Sequence, residues 1–300
     1  MHKQKNNVAI PRSDKVFYAV VNVIMIIILG VVLVPIVNII ASSFSSGEAV
    51  VSGRVFLWPV DFSVEGYKAL FASDKILTGY ANTIFYTFVG TIVNIIMTML
   101  AAYPLSRPDF AARNVLMGLF TFTMMFSGGI IPNYLLMMNL GLLDTRFSLI
   151  ISGAISVYNM IIARTYFATN IPAGLREAGM IDGCSDFRFF AQIALPLSKP
   201  IIAVLVLFYA VSHWNSYFNA YLYLSSQEKF PLQLVMREIL ISFKVDGDMI
   251  TTGEELVQRQ NIADLLKYSL IVAASLPVWC FYPFVQKYFV QGIMIGSIKG

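Results

Sequence analysis

The sequence predicts an all-α integral membrane protein with six transmembrane helices. Three observations lead there. Hydrophobic residues make up 57% of the chain and charged residues 13%, where a soluble domain carries nearer a quarter charged. The apolar residues gather into six long runs free of Asp, Glu, Lys and Arg. The basic residues are biased towards alternate segments between those runs, as they are in membrane proteins of fixed orientation.

Residues 1–15 form a polar tail with Lys3, Lys5, Arg12 and Lys15. The run Val16–Gly47 that follows is too long for a signal-peptide core of about 7–15 residues and reads as an uncleaved first span. The other runs are Ile76–Ser106, Asn114–Leu143, Phe147–Ala163, Pro200–Gln227 and Tyr268–Gln286. A spanning helix needs about 20 residues, with a range of about 17–25, so the fourth run is marginal. Arg164 can snorkel to the interface and let that helix continue. The membrane domain covers residues 16–290, with residues 168–199 forming a loop inside it, and residues 291–300 form a C-terminal tail.

Six spans place both termini on one side. With that side inside, the inner segments hold 12 Lys and Arg against 5 Asp and Glu, and the outer segments 9 against 12, together the 21 and 17 of the whole chain. The basic excess puts both termini and Ile171–Pro200 in the cytoplasm. The outer segment Ser45–Lys75 contains a short helix, Ser63–Phe71, capped by Ser63. The outer segment Gln227–Lys267 begins with an amphipathic stretch, Pro231–Phe243. Both read as interfacial packing, with contact to a partner as the alternative.

Several functions are disfavoured. Ion-coupled carriers place ionisable groups within their spans, and here the spans hold only His213, which reads as a hydrogen-bonded packing residue. There is no G-x-x-x-x-G-K-[ST] phosphate loop. A pump with neither device takes its energy from another subunit. The net charge of +4 is spread along the chain, which does not point to nucleic acid. Cys184 and Cys280 read as free thiols, and His2 and His213 lie far apart, so no metal-ligand spacing appears. No nucleophile or acid–base constellation marks an enzyme.

The segment Ile171–Pro200 reads as helix, turn, helix. Pro172 suits a first helical turn. Leu175, Ala178 and Ile181 recur at a spacing of three on one face. Gly183 ends the helix in the left-handed cap conformation. Ser185 caps a second helix, with Asp186 at the positive end of its dipole. Phe187, Phe190 and Ile193 continue the apolar face, and Pro196 and Pro200 close the unit.

The spacing Glu177-Ala178-Gly179, then Asp182-Gly183, then Ile193-x-Leu195-Pro196 resembles the EAA loop of bacterial ABC importer permeases. Gly179 stands where the family has a second alanine, which softens the helix. The ending Pro196-Leu197-Ser198-Lys199-Pro200 resembles the carbohydrate branch. So do Ala102-Tyr103-Pro104-Leu105-Ser106-Arg107, Phe126–Tyr134, Lys287-Tyr288-Phe289 and Gly292–Ser297. The resemblance covers nearly the whole chain and implies the ABC importer permease fold. It implies that residues 168–199 are a cytoplasmic coupling helix docking on an ATPase subunit through Glu177, Ala178, Gly179, Asp182, Gly183, Ile193, Leu195 and Pro196. It also implies a second homologous permease, two ATPase subunits and an extracytoplasmic solute-binding protein as partners in a bacterial cell membrane. This chain would bind no cofactor, with ATP and Mg held by the ATPase.

Two features within the spans remain. Pro132 removes a backbone hydrogen bond to Gly128 and is expected to kink span three, where backbone faces protein or a water-filled cavity; a packing kink is the alternative. Span five carries Ser212, Asn215 or Ser216, and Asn219 on one stripe, and Trp214, Tyr217 or Phe218, and Tyr221 on another. Amides, hydroxyls and aromatic faces suit an uncharged polar cargo such as a sugar, which makes Trp214, Asn215, Tyr217 and Asn219 path-lining candidates. Polar glue between packed helices is the alternative. The reading is a permease subunit of an ATP-driven importer for an oligosaccharide. Its rivals are another polar organic solute as cargo, or a secondary carrier that needs no ATPase.

Overall fold

Apolar residues on every face make Arg12–Ser43 a single long helix, α1, exposed along most of its length. This and all that follows comes from a computed structural model, which describes residues 11–247, 265–283 and 286. Residues 1–10 of the N-terminal tail, residues 287–290 at the end of the expected domain, the tail 291–300 and the Lys287–Ser297 motifs lie outside the described residues. Every regular element among the described residues is helical. They fall into two units, Met1–Ala72 with Phe243–Ala273, and Ser73–Ser242 with Ala274–Gly300.

In the first unit the chain folds back over the end of α1. The Asn38 amide donates to the carbonyls of Val55 (3.2 Å) and Phe56 (2.8 Å). Ala41 packs with Ala49 and Val55, and the Tyr67 hydroxyl donates to Ser43 at 2.8 Å. Two short helices, α2 (Gly47–Val51) and α3 (Glu65–Phe71), lie in this loop. The sequence placed α3 at Ser63–Phe71 with Ser63 as its cap. Instead Val64 is the cap residue, and Ser63 reaches in from one position earlier to accept the Glu65 N–H at 3.2 Å. Gly66 leaves no room for a Cβ against Ser269, in the helix Leu265–Pro283.

The second unit is built on α4 (Asp74–Ser106), 33 residues without a break. Asn82, Tyr86, Gly90, Asn94, Thr98 and Ala102 are all buried along it, a stripe at every fourth residue that faces the elements packed beside it. Three of the six apolar runs are single helices long enough to cross a membrane: Ser13–Ser43, Asp74–Ser106 and Leu265–Pro283. The other three are broken, where a kink was expected only in the third.

The third run divides into α5 (Arg113–Met125) and α6 (Ile130–Asn139), bent by 115°. Pro132 is not the cause. It sits in the first turn of α6, where an N–H would have no intrahelical partner. The break comes at Gly129, whose φ is +87°, a conformation that costs glycine no steric clash.

The fourth run divides into α7 (Arg146–Ile151) and α8 (Val157–Asn170). Arg164 lets α8 continue, but not by snorkelling: its Nε donates to the carbonyl of Leu105 at the end of α4, at 2.9 Å. After α8 come α9 (Ala173–Ile181), α10 (Asp186–Phe189), a π-helical turn over Phe190–Ala194 and α11 (Leu195–Leu197). The fifth run divides into α12 (Lys199–Trp214) and α13 (Phe218–Tyr223), and α12 bends by 79° from the helix before it. The expected amphipathic stretch is α14 (Leu232–Gly247), and the last of the described helices is α15 (Leu265–Pro283).

The main core lies towards the end of α4 that carries Ser106. It joins Met99, Tyr103 and Leu105 of α4, Met160 and Phe167 of α8, Ile201 and Leu205 of α12, and Phe189 and Phe190. Tyr103 centres an aromatic cluster, 5.5 Å from Phe167 and 4.9 Å from Phe190 between ring centroids. The hairpin α9–α11 is therefore bedded in the same core that holds the long helices together.

Candidate functional site

The hairpin turns where the sequence places its glycine. Gly183 has φ +74°. The Gly183 N–H bonds the Met180 carbonyl at 3.0 Å, and the Cys184 N–H bonds the Gly179 carbonyl at 2.8 Å, the paired bonds of a Schellman cap. Ser185 then accepts the Arg188 N–H at 3.3 Å and starts α10. Pro172 is the cap residue of α9, just outside its first turn.

The apolar face of α9 is not turned inwards. Leu175, Met180 and Ile181 are exposed, Ile181 at 86%, and beyond the turn Phe187 is exposed at 73%. Glu177, Ala178, Asp182 and Pro196 are exposed as well, and Ile193 and Leu195 are half-buried. Phe187 and Phe190 do not share one face. Phe190 enters the core beside Phe189, which is 1% exposed, while Phe187 faces out. Gly179 is the buried member of the Glu177-Ala178-Gly179 triplet, and a Cβ there would meet the Phe189 ring at 3.2 Å. The glycine is thus explained by close approach of an aromatic ring, beyond its effect on helix propensity.

Arg176 adds a charged tie between the hairpin and the rest of this end. The Arg176 guanidinium donates to Asp186 on α10 (2.9 and 3.1 Å) and pairs with Asp109, in the turn after α4, at 2.8 Å. Burial, the largest influence on the Asp109 carboxyl, pushes it up. Hydrogen bonds from its own backbone N–H and from Arg176, with the charges of Arg176 and Arg107, overcome this and hold it below the usual carboxylate range. Burial pulls Arg176 down, and its two carboxylates raise it above its ordinary value. The sequence reading did not single out Arg176. Asp186 lies ten residues on within the same hairpin and Asp109 in the turn after α4, and no local spacing announces them.

The path-lining candidates are not held together. Trp214 is buried at 7%, and its indole N–H donates to the Ala274 carbonyl of α15 at 2.9 Å, so its ring packs against this chain's own helix. Asn215 ends α12, exposed, with its amide on the Val211 carbonyl at 3.0 Å. Tyr217 precedes α13 and is exposed, and the Asn219 amide reaches Ser152 at 3.4 Å. The two stripes assumed one continuous helix, and the break at Asn215–Tyr217 rotates their outer members away from their inner ones.

Behind these residues lies a polar network that the sequence did not reveal. The Asn94 amide donates to the carbonyls of Gly153 (2.8 Å) and Ala154 (2.9 Å), in the break between α7 and α8. Its oxygen must then accept from His213 Nε2, at 2.6 Å, which fixes the proton on that nitrogen. His213 approaches α4 so closely that a Cβ on Gly90 would lie 2.5 Å from its ring. The Tyr209 hydroxyl shares a hydrogen bond with Thr98 (2.7 Å) and accepts the Ser156 N–H (3.2 Å). Carbonyls freed by a break inside an apolar layer are costly unless paired, and Asn94 pairs them.

At the far end of the unit a second knot forms. Asp144 accepts the N–H groups of Ser225 and Ser226, both at 3.0 Å, and pairs with Lys229 at 2.9 Å. The Ser226 hydroxyl and N–H, then Lys229, hold its carboxyl well below the usual carboxylate range. The Asn82 amide donates to the carbonyls of Glu228 (2.7 Å) and Phe230 (3.1 Å) and its oxygen accepts from Arg146 (3.1 Å).

Among the described residues no group of His, Cys, Asp and Glu is arranged to hold a metal ion. Comparison with known proteins agrees with the architecture. The chain is 43% identical over 267 residues, covering 89% of this chain and 92% of the other, to the polygalacturonan/rhamnogalacturonan transport system permease protein YtcP of Bacillus subtilis (strain 168). It is 41% identical over 272 residues, covering 90% of each chain, to protein LplC of the same organism. Its fold is similar, with TM-score 0.84 and 38% identity over 93% of this chain and 99% of the other, to a chain in the crystal structure of a bacterial ABC transporter involved in the import of the acidic polysaccharide alginate. Residues 94–295 match the family described as binding-protein-dependent transport system inner membrane component. That match spans the breaks, the hairpin and the core in which it is bedded, and this chain belongs to that family.

Proposed function

We propose that this chain is one permease subunit of an ATP-driven importer for an oligosaccharide, paired with a second permease and driven by two ATPase subunits that hold ATP and Mg. An extracytoplasmic binding protein would deliver the cargo, and the hairpin end with both termini would lie in the cytoplasm. The relatives named above, one for polygalacturonan/rhamnogalacturonan and one for alginate, support a carbohydrate cargo over another polar solute. They also leave an ATPase-independent carrier without support.

The observation that carries the reading is the exposed tip of the hairpin. Met180, Ile181 and Phe187 expose apolar side chains on the hairpin that carries Glu177, which is braced by Arg176 and rooted by Phe189 and Phe190. A rigid unit with an exposed apolar tip is suited to dock in a groove of another subunit. The core behind it would carry the displacement to α4, α8 and α12 and so switch access to the path. The site is not catalytic: the chemistry of ATP hydrolysis would lie on the partner.

Ile181→Asp tests this directly, because so exposed a side chain contributes little to folding of the chain itself. The permease pair should be recovered at normal yield, and the ATPase subunits and sugar uptake should be lost. Full recovery of the ATPase subunits with the variant would overturn the docking role.

A further inference from the structure

The ion pairs of the described residues engage Arg54, Arg107, Arg176 and Lys229. Arg237, on α14, is in none of them. Its guanidinium carbon instead lies 4.3 Å from the ring centroid of Tyr221. A cation over an aromatic face is attracted by the ring quadrupole without being neutralised. Arg237 is also kept in place, because the stack restrains a flexible side chain. The guanidinium carries its donors in a planar fork that fits a carboxylate with two parallel hydrogen bonds. No acceptor among the described residues takes them. Lys229 is the contrast: Asp144 already occupies it.

The surroundings suit a sugar. Tyr221 is 54% exposed, and Tyr217 and Phe218, one turn earlier, are exposed as well. All belong to or border α13, whose last residue, Tyr223, binds the Asp144 N–H through its carbonyl at 2.7 Å. They therefore stand at the end of the unit opposite the hairpin, on the same short segment as the path candidates Tyr217 and Asn219. A uronic acid residue presents a ring C–H face and a carboxylate together, and an aromatic shelf beside a guanidinium with no ion-pair partner among the described residues matches both.

We propose that Arg237 on its Tyr221 shelf is a carboxylate-reading site, which makes the cargo an acidic oligosaccharide. This rests on the oligosaccharide-importer reading above and narrows it.

The test uses the whole transporter, both permeases with the ATPase subunits and the binding protein, in proteoliposomes. The probes are trigalacturonate and its fully methyl-esterified form, which keeps the length and loses the charge. Arg237→Gln should lower trigalacturonate uptake about tenfold, the scale of one charge-assisted pair in a wet site, and leave uptake of the ester within about twofold. Arg237→Lys, a point charge without the fork, should fall between. Both probes arrive on the same binding protein, so a docking or folding defect would lower both alike, and equal losses would overturn the proposal. So would unchanged trigalacturonate uptake in Arg237→Gln. If the unmutated transporter carries the ester and refuses the acid, this proposal falls while the oligosaccharide reading stands. If it carries neither, while its ATPase subunits are present and active, both fall.

Discussion

Replacing Gly183 isolates one backbone angle. Its φ of +74° is the conformation that L side chains rarely adopt, and a Cβ built there meets nothing within 4 Å. Steric contact with neighbours therefore contributes nothing, and the whole cost is conformational. An alanine held in the left-handed region costs about 1 kcal/mol. A valine, branched at Cβ, costs about 2 kcal/mol or more. If the chain escapes that strain by opening the turn, it gives up the two cap hydrogen bonds, each worth about 1 kcal/mol. Either route shifts the hairpin population about tenfold for each 1.4 kcal/mol.

Asparagine tolerates the left-handed region better than alanine, so the order of damage should be Gly, Asn, Ala, Val. The assay is recovery of ATPase subunits with a tagged permease, together with sugar molecules taken up per ATP hydrolysed. A size-driven effect would make Asn worse than Ala, and that order would refute the conformational argument. Valine with undiminished coupling would refute the docking role itself.

Other outcomes follow from the same geometry. Cys184 should resist a membrane-impermeant thiol reagent in intact cells and react after permeabilisation; labelling in intact cells would reverse the orientation. Gly90→Ala should lower the thermal midpoint of the purified complex by an overpacking cost of about 1–3 kcal/mol, and His213→Ala added to it should cost less than the sum of the two. Trp214→Ala should reduce the yield of assembled complex and leave uptake per complex near normal, because its ring is packed on α15; the reverse pattern would return Trp214 to the cargo path. The Asp144 carboxyl is depressed in the folded protein, so its contribution is present above about pH 4, the ordinary Asp value, and is lost as pH falls below it. Asp144→Asn should flatten that acid limb in a plot of thermal midpoint against pH, and an unchanged limb would count against the knot.

Local backbone chemistry was legible in the sequence. Gly183 and Ser185 announce a turn and a cap because each acts on its own neighbours, and the structure has both. Long-range pairing was not. Arg176 reaches Asp186 only once the hairpin has turned, and Asp109 only after α4 and the hairpin have been brought together, and nothing in the spacing of either segment anticipates it. The breaks were hidden for a different reason. A run without charges looks continuous whether or not the helix is, and the signals present, Gly128-Gly129 and Ser152-Gly153, are short. Pro132 drew the bend to itself, although a proline at a helix start disturbs nothing. Trp214 was placed by the periodicity of a helix that stops at that residue. Asn94 was readable in principle, as a lone amide in an apolar helix, but its partners are carbonyls that exist as free groups only once the fourth run is broken.

Within the second unit α4 is the longest described helix, and it has no joint. Its 33 residues make a rod of about 50 Å at 1.5 Å per residue. One end is gripped through Leu105 by Arg164 and through Asp109, just beyond it, by Arg176. The other is gripped through Asn82, Thr83 and Tyr86 by the segment Glu228–Leu232. A rod so held converts a small tilt at one end into translation at the other. Pivoting by about 5° moves the far tip by about 4 Å over that length, more than the reach of a single hydrogen bond. The jointed helices beside it can absorb such a tilt at Ser152–Ser156 and Asn215–Tyr217 without bending their own helical segments. Stiffness in one element and hinges in its neighbours together form a linkage, in which the longest helix sets the gearing.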